Sequence, residues 1–320
     1  MKTFHSFFVV TATVLLLAGC GSDKKSPDES RTPVRIASDI EPTSRAFDGM
    51  NTQFRAGRAV AFWVDNAATS ARLYGNNSLT ADGKGGFTGG VPMYFPATGE
   101  RIDLYALHTN GSLTEAFPAS AIAHAVAADQ RTEADYYDSD LLYATSKNVA
   151  KTTSAVPLTF YHLLSKVRVA LVSGELSPDL AGAKVLLLGT KLTADFTPSK
   201  TADMTVREER AAMVAASGAA EAITVGNEPS PDFTAANVKY NDAVAVPQTL
   251  AAGTTFLSVE LASGRTMTYE LPDDMTLESG KYHIFEVTVN LPTGLTVTTR
   301  IEDWDDGGTT PVKPTNTLQL

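Results

Sequence analysis

Two acidic runs carry the side chains best suited to acid–base or cation chemistry. They are Glu133-Ala134-Asp135-Tyr136-Tyr137-Asp138-Ser139-Asp140 and Glu302-Asp303-Trp304-Asp305-Asp306-Gly307. A retaining glycosidase needs two carboxyls about 5 Å apart, and calcium takes roughly six to eight oxygens. The second run opens like an Asp-x-Asp calcium loop but has Pro314 where the twelfth position should be acidic. Solvated turns are the simpler reading of both runs, although aromatics beside acids also suit sugar stacking. The histidines His108, His124, His162 and His283 each stand alone in strand-like surroundings, which favours structural roles. His-x-x-x-His, Cys-x-x-Cys and Gly-x-Ser-x-Gly are all absent from the sequence. Gly83-Lys84-Gly85-Gly86 runs into Phe87-Thr88 without the Lys-Ser/Thr order of a phosphate loop, and reads as a hairpin loop. The residues therefore predict no catalytic group, no metal site and no cofactor.

The remaining reactive side chain is Cys20, the one cysteine in the chain. It follows Leu17-Ala18-Gly19, after Lys2 and an apolar stretch from Phe7 to Ala18. A charged start, a dozen or so apolar residues and small residues before a cut make a secretory signal. The stretch falls short of the ~20 residues of a spanning helix. A cysteine just after the cut resembles a bacterial lipobox, in which the thiol is S-acylated and becomes the new N-terminus. The alternative is a plain signal that happens to carry a cysteine. The reading is an exported, lipid-tethered protein, with residues 1–19 as signal peptide. Gly21 to Pro33 is polar and contains proline, and so reads as a flexible stalk. Losing Lys2 leaves 25 basic and 36 acidic side chains and moves the net charge from −10 to −11. Without a basic stripe, such a surface excludes nucleic acid as a partner.

About 300 mature residues suit two domains. Twenty-three glycines and sixteen prolines punctuate Thr- and Val-rich runs, which predicts many short strands and an all-β sandwich architecture. Leu257, Val259 and Leu261 alternate with polar neighbours, Ser263-Gly264 turns, and Met267, Tyr269 and Leu271 resume. His283 to Leu291 and Leu295 to Ile301 flank a turn at Pro292-Thr293-Gly294. Further strands are predicted at Ala59–Val64, Ile102–His108 and Lys184–Leu188, with one long strand over Val156–Val172. Within the last, Lys166 and Arg168 are expected to face water. Ala119–Gln130 reads as a strand by alternation despite its alanines, and Arg207–Ala222 as a short surface helix or loop. The turn-rich Ser173–Pro178 suggests a boundary between domains at 46–174 and 175–306, with a tail at 307–320. In Ala59–Val64, Trp63 falls opposite Val60, Phe62 and Val64, so an exposed Trp63 would be the natural glycan contact.

An ordered series of short motifs spans nearly the whole mature chain. It runs through Tyr94-Phe95-Pro96, Ile102-Asp103-Leu104-Tyr105-Ala106, Asp129-Gln130, Tyr136 to Ala144 and Val156 to Val167. It continues with Ala245 to Leu250, Gly280-Lys281-Tyr282 and Ile301-Glu302-Asp303-Trp304. This series resembles the fimbrillin family of Bacteroidetes lipoproteins, the Mfa-like and FimA-like pilins and fimbrial tip proteins. The motifs read as strand and packing signatures rather than as a site.

The resemblance implies two tandem transthyretin-like (immunoglobulin-like) β-sandwiches carried on a lipoprotein of the cell outer membrane. It also implies maturation by an arginine-specific protease, which removes the first strand and opens a groove for a strand of another fimbrial subunit. Thr43-Ser44-Arg45-Ala46-Phe47 matches the family's Arg-Ala junction, so Arg45 and Ala46 would flank the cut within the 20–45 linker and propeptide. Val34-Arg35-Ile36-Ala37 would be the strand removed. Arg55 and Arg58 are the alternatives, less accessible because they adjoin a predicted strand. The donor would be Leu295 to Ile301, assisted by the tail from Thr309, whose Pro311 and Pro314 break pairing. The expectation is a structural or adhesive fimbrial subunit (stalk, anchor or tip), with a host protein or glycan as an adhesive ligand, and not an enzyme. The alternative is a monomeric carbohydrate-binding surface lipoprotein of the outer membrane.

Overall fold

The computed structural model describes residues 31–40, 54–226 and 239–304. The described residues from Thr32 onward belong to one compact unit. They form eighteen strands and two short helices. The strands are β1 (Ile36–Ile40), β2 (Ala59–Asn66), β3 (Arg72–Ala81), β4 (Phe87–Thr88), β5 (Ile102–His108), β6 (Ile122–Ala125), β7 (Leu142–Val149), β8 (Val156–His162) and β9 (Ser165–Ser173). They continue as β10 (Lys184–Phe196), β11 (Val214–Thr224), β12 (Lys239–Ala245), β13 (Gln248–Leu250), β14 (Thr255–Glu260), β15 (Thr266–Glu270), β16 (Met275–Leu277), β17 (Lys281–Asn290) and β18 (Gly294–Asp303). The helices are α1 (Glu133–Asp138) and α2 (Arg207–Ala211). The all-β architecture read from turn spacing and alternation is the one observed.

Seven strands form one sheet in the order β1-β8-β7-β5-β2-β3-β4. A second sheet runs β11-β10-β14-β15, with β6 also on β10, and a third runs β12-β9-β17-β18. The predicted hairpins form where glycine permits φ > 0. Gly264 at +86° joins β14 to β15, and Gly294 at +96° joins β17 to β18. Asp82 accepts from the amides of Lys84 and Gly86, which folds Gly83 to Gly86 as a loop between β3 and β4.

Two apolar clusters fill the molecule. One gathers Val60, Phe62, Val64, Leu104, Phe160 and the inward residues of β1. The other gathers Val167, Val169, Leu187, Phe256, Phe285 and Val287. The segment read as one strand over Val156–Val172 is broken at Leu163 and Leu164. β8 stays in the seven-stranded sheet, whereas β9 pairs with β12 and β17. Both leucines are fully buried, so the hand-over between sheets lies inside the core.

Two expectations need correction. Arg207–Ala222 folds as helix only over Arg207–Ala211, and from Val214 the chain is strand β11 against β10. Helix propensity among alanines is worth a few tenths of a kcal/mol each, less than a ladder along an existing strand offers. Lys166 and Arg168 do not face water, being 0 % and 3 % exposed. Arg168 lies directly across from Asp242 in the β9–β12 register. It donates to both of that carboxylate's oxygens, at 2.6 and 2.5 Å. Lys166 stands 3.8 Å from the same carboxylate, and both cations lie over the Tyr282 ring.

Candidate functional site

β1 sits between two partners. On one edge it pairs in parallel with β8, Ile36 opposite Val156 through Ile40 opposite Phe160, and the Val156 amide donates to the Arg35 carbonyl at 2.8 Å. On the other edge Val34 N donates to Met93 O at 2.8 Å, Phe95 N to Thr32 O at 2.9 Å, and Ser38 N to Gly85 O at 2.7 Å. The strand thus joins β8, near one end of the sheet, to the segment around β4 at the other end.

Side-chain period two sets what β1 puts into the core. Val34, Ser38 and Ile40 are buried and Ile36 is half-buried, while Arg35, Ala37 and Asp39 face out. Val34 and Ile40 belong to the first apolar cluster and Ile36 packs against it. β8 relies on this strand. It meets β7 only at His162 and Tyr161, so residues Val156 to Phe160 have β1 as their ladder partner. Pro157 lacks an amide to donate, and it falls in the stretch of β8 that β7 does not reach.

Arg45 and Ala46, the processing junction that the family resemblance implies, lie outside the described residues, as does Cys20. The two alternative arginines are engaged. Arg55 donates to the Tyr137 hydroxyl at 3.0 Å and its guanidinium lies 4.0 Å above that ring. Arg58 forms an ion pair with Asp138. Both partners come from α1, which Thr132 caps by accepting from Asp135 N. A protease must draw an arginine side chain into its own pocket, and at these positions it would first have to break these contacts.

Trp63 is where the structure departs most from the reading of a glycan platform. It is fully buried rather than exposed. Alternation is lost here because β2 is covered on both faces. The 113–117 segment crosses the sheet, the Trp63 indole N–H donates to Glu115 O at 3.0 Å, and Phe117 meets the indole edge-on at 5.5 Å.

The acidic runs are used structurally. Asp140 is buried and accepts from His162 Nδ1 at 2.9 Å, and the His162 ring stacks on Trp304 with centroids 3.9 Å apart. Asp303 takes ion pairs from Arg207 and Lys281. Asp305 and Asp306 lie outside the described residues. Among the described residues there is no group of three side chains placed to hold a metal. Burial pushes His124 and His283 down to about 4, with Lys281 adding repulsion at His283, and burial also lowers His108. These rings are neutral packing elements at pH 7, as their isolation in the sequence suggested.

The buried Lys166–Arg168–Asp242 cluster and the cleft walled by Glu115–Ala119 went unseen in the sequence. One signal was available for the first, since Lys166 and Arg168 sit two apart inside an otherwise apolar run.

The model of the fimbrillin-like family matches residues 44–304, and the chain therefore belongs to that family. No curated protein matches it. Among solved structures, a protein described as a cell adhesion protein from Bacteroides ovatus superposes with a TM-score of 0.65 at 19% identity, covering 86% of this chain and 98% of its own. A second, also described as a cell adhesion protein and from Bacteroides uniformis, gives 0.61 at 18% identity, covering 87% and 100%. These likenesses show a shared fold over most of the chain. The protein is a fimbrial subunit of this family, structural rather than enzymatic.

Proposed function

We propose that this fimbrillin-like chain is a subunit of a surface fimbria, tethered to the outer membrane through lipid on Cys20 and assembled by strand exchange. In this scheme an arginine-specific protease cuts between Arg45 and Ala46, β1 leaves with the propeptide, and a strand from another subunit takes its place. The observation that carries the proposal is the position of β1. It is bonded along both edges, it directs Val34, Ile36, Ser38 and Ile40 into the core, and it is the ladder partner of Val156 to Phe160. A vacated slot of this kind offers unpaired backbone groups and apolar pockets that an extended segment fills. The hand-over of strands at Leu163-Leu164, from the seven-stranded sheet to the sheet of β12 and β17, supports a junction between two tandem sandwiches near there, ahead of the 174/175 boundary read from the sequence.

The donor region takes a sharper form. β18 pairs with β17 from Gly294 through Asp303 and buries Val297, so donating it would strip its own sheet. We therefore shift the weight of donation from Leu295–Ile301 to the tail, which lies outside the described residues.

A brief digest of the full chain with an arginine-specific protease tests the scheme. The expected product is one core of about 275 residues starting at Ala46, identified by mass spectrometry. First cuts at Arg55 or Arg58, or stable resistance at Arg45, would remove the maturation step. Cys20→Ala should release the protein from membranes, because an acyl chain contributes ~0.8 kcal/mol per buried methylene. Retention after a carbonate wash would refute the tether.

A further inference from the structure

A cleft of about 680 Å³ opens between Arg72 and Lys200 on one side and the Glu115–Ala119 segment on the other. It lies within the range of roughly 300–1,000 Å³ that small-ligand sites occupy. We propose that it binds a compact organic carboxylate, the acidic sugar ring of a uronic or sialic acid being the class that fits.

The argument begins beneath the cleft with Asp65, which is 1 % exposed. One of its oxygens accepts from Arg72 Nε and the other from Lys200 Nζ, the latter at 2.5 Å. Two cations on one buried anion place positive charge on this wall of the cleft, with Glu115 as the balancing charge on the opposite wall. Among the described residues Arg72 bonds Asp65 through Nε alone, which leaves the two terminal amino groups of its guanidinium for a ligand. A guanidinium edge matches a carboxylate in geometry as well as charge. Lys200 is further fixed by two rings, its ammonium standing 5.0 Å from the Phe117 centroid and 5.2 Å from that of Tyr105.

The opposite wall is a loop, yet it is anchored. Trp63 holds Glu115 O from below and supports the Phe117 ring. Gly75 lets the loop lie against β3, since a Cβ there would come within 2.6 Å of Glu115 O. Ala116, Phe117, Pro118 and Ala119 give this wall a mostly apolar surface for the C–H face of a ring, and Glu115 at the rim disfavours polyanions. The site does not involve β1 or the Arg45 junction, so it stands or falls independently of strand exchange.

The test is saturation-transfer NMR and calorimetric titration on the uncleaved full chain with glucuronate, N-acetylneuraminate, glucose and the dipeptide Asp-Glu. Saturable binding of at least one acidic sugar, ten-fold or more tighter than glucose and weakened by salt, is expected. Arg72→Gln and Lys200→Gln should each weaken it at least ten-fold, while Arg265→Gln, on an exposed hairpin of the other half, should leave it unchanged. Equal binding of glucose, tighter binding of Asp-Glu, no binding of either acidic sugar, or an Arg72→Gln variant that still folds and binds normally would each overturn the proposal.

Discussion

β1 and β18 both end a row of strands, but they are attached by different means. β18 follows β17 through a tight turn at Gly294 and pairs with it over ten positions. Its sheet also contains the Arg168–Asp242 pair, two side chains opposite one another on β9 and β12 and out of reach of water. A buried ion pair tolerates no slip, because moving either strand by one residue would leave a charge without its partner. β1 pairs over five positions with a strand more than a hundred residues away in sequence, and nothing it places in the core carries charge. Any extended segment with apolar side chains at alternate positions could replace it. One region is thus specified by chemistry that only its own residues supply, and the other by a pattern that many segments can supply. A replaceable strand at this place is what the proposed exchange requires.

The sharpest way to break this comparison is to remove β1. Burial of Val34 and Ile40 with part of Ile36, together with the lost ladder, puts the cost at about 5 kcal/mol. Chain cut at Arg45 and separated from its propeptide should lose at least 10 °C in melting temperature or aggregate. A synthetic peptide spanning Thr32–Ile40 should restore it, measured by differential scanning fluorimetry. A cut chain that melts like the intact one would mean that β1 is dispensable to the fold.

Asp242→Ala tests the other region. It removes the carboxylate that joins Lys166 and Arg168 while both remain buried, for an expected loss of about 4 kcal/mol in urea unfolding. Asp242→Asn, which keeps the shape, should also lose stability. Neither variant should alter peptide exchange in the β1 slot, and a changed exchange rate would show that the two regions are coupled.

Acid gives the smallest effect. Burial is the main cause that pushes His283 and His124 in the folded chain down to about 4 from the ordinary 6.5 of a histidine. The unfolded rings take up protons first as the pH falls below 6.5, so their contribution is present above that value and is lost towards pH 4. Between pH 7.5 and 5 each should cost about 2 kcal/mol of unfolding free energy. His283→Gln should flatten the pH dependence by that amount. The side chains filling the β1 slot do not titrate in this range, so affinity for the rescuing peptide should change little.

The sequence by itself determined the all-β class, the family and most strand positions. The alternating Leu257, Val259 and Leu261 and the glycine turns at Gly264 and Gly294 follow from side-chain period and backbone sterics, which are local. His124 lies on a strand as alternation predicts, although the strand covers only Ile122–Ala125 of the Ala119–Gln130 segment. Only the tertiary structure decided which faces meet water, because covering a sheet depends on distant segments. Trp63 is buried because residues 113–117 cross β2, and Lys166 and Arg168 are buried because Asp242, seventy-four positions after Arg168, arrives opposite them. The same holds for the slot and the cleft. Val34 to Ile40 reads as one more alternating strand until β8 and Gly85 close on its two edges, and Arg72 and Lys200 read as solvated charges until Asp65 draws them together. Periodicity is written within a few residues, whereas burial and proximity are set by chain that comes back from far away.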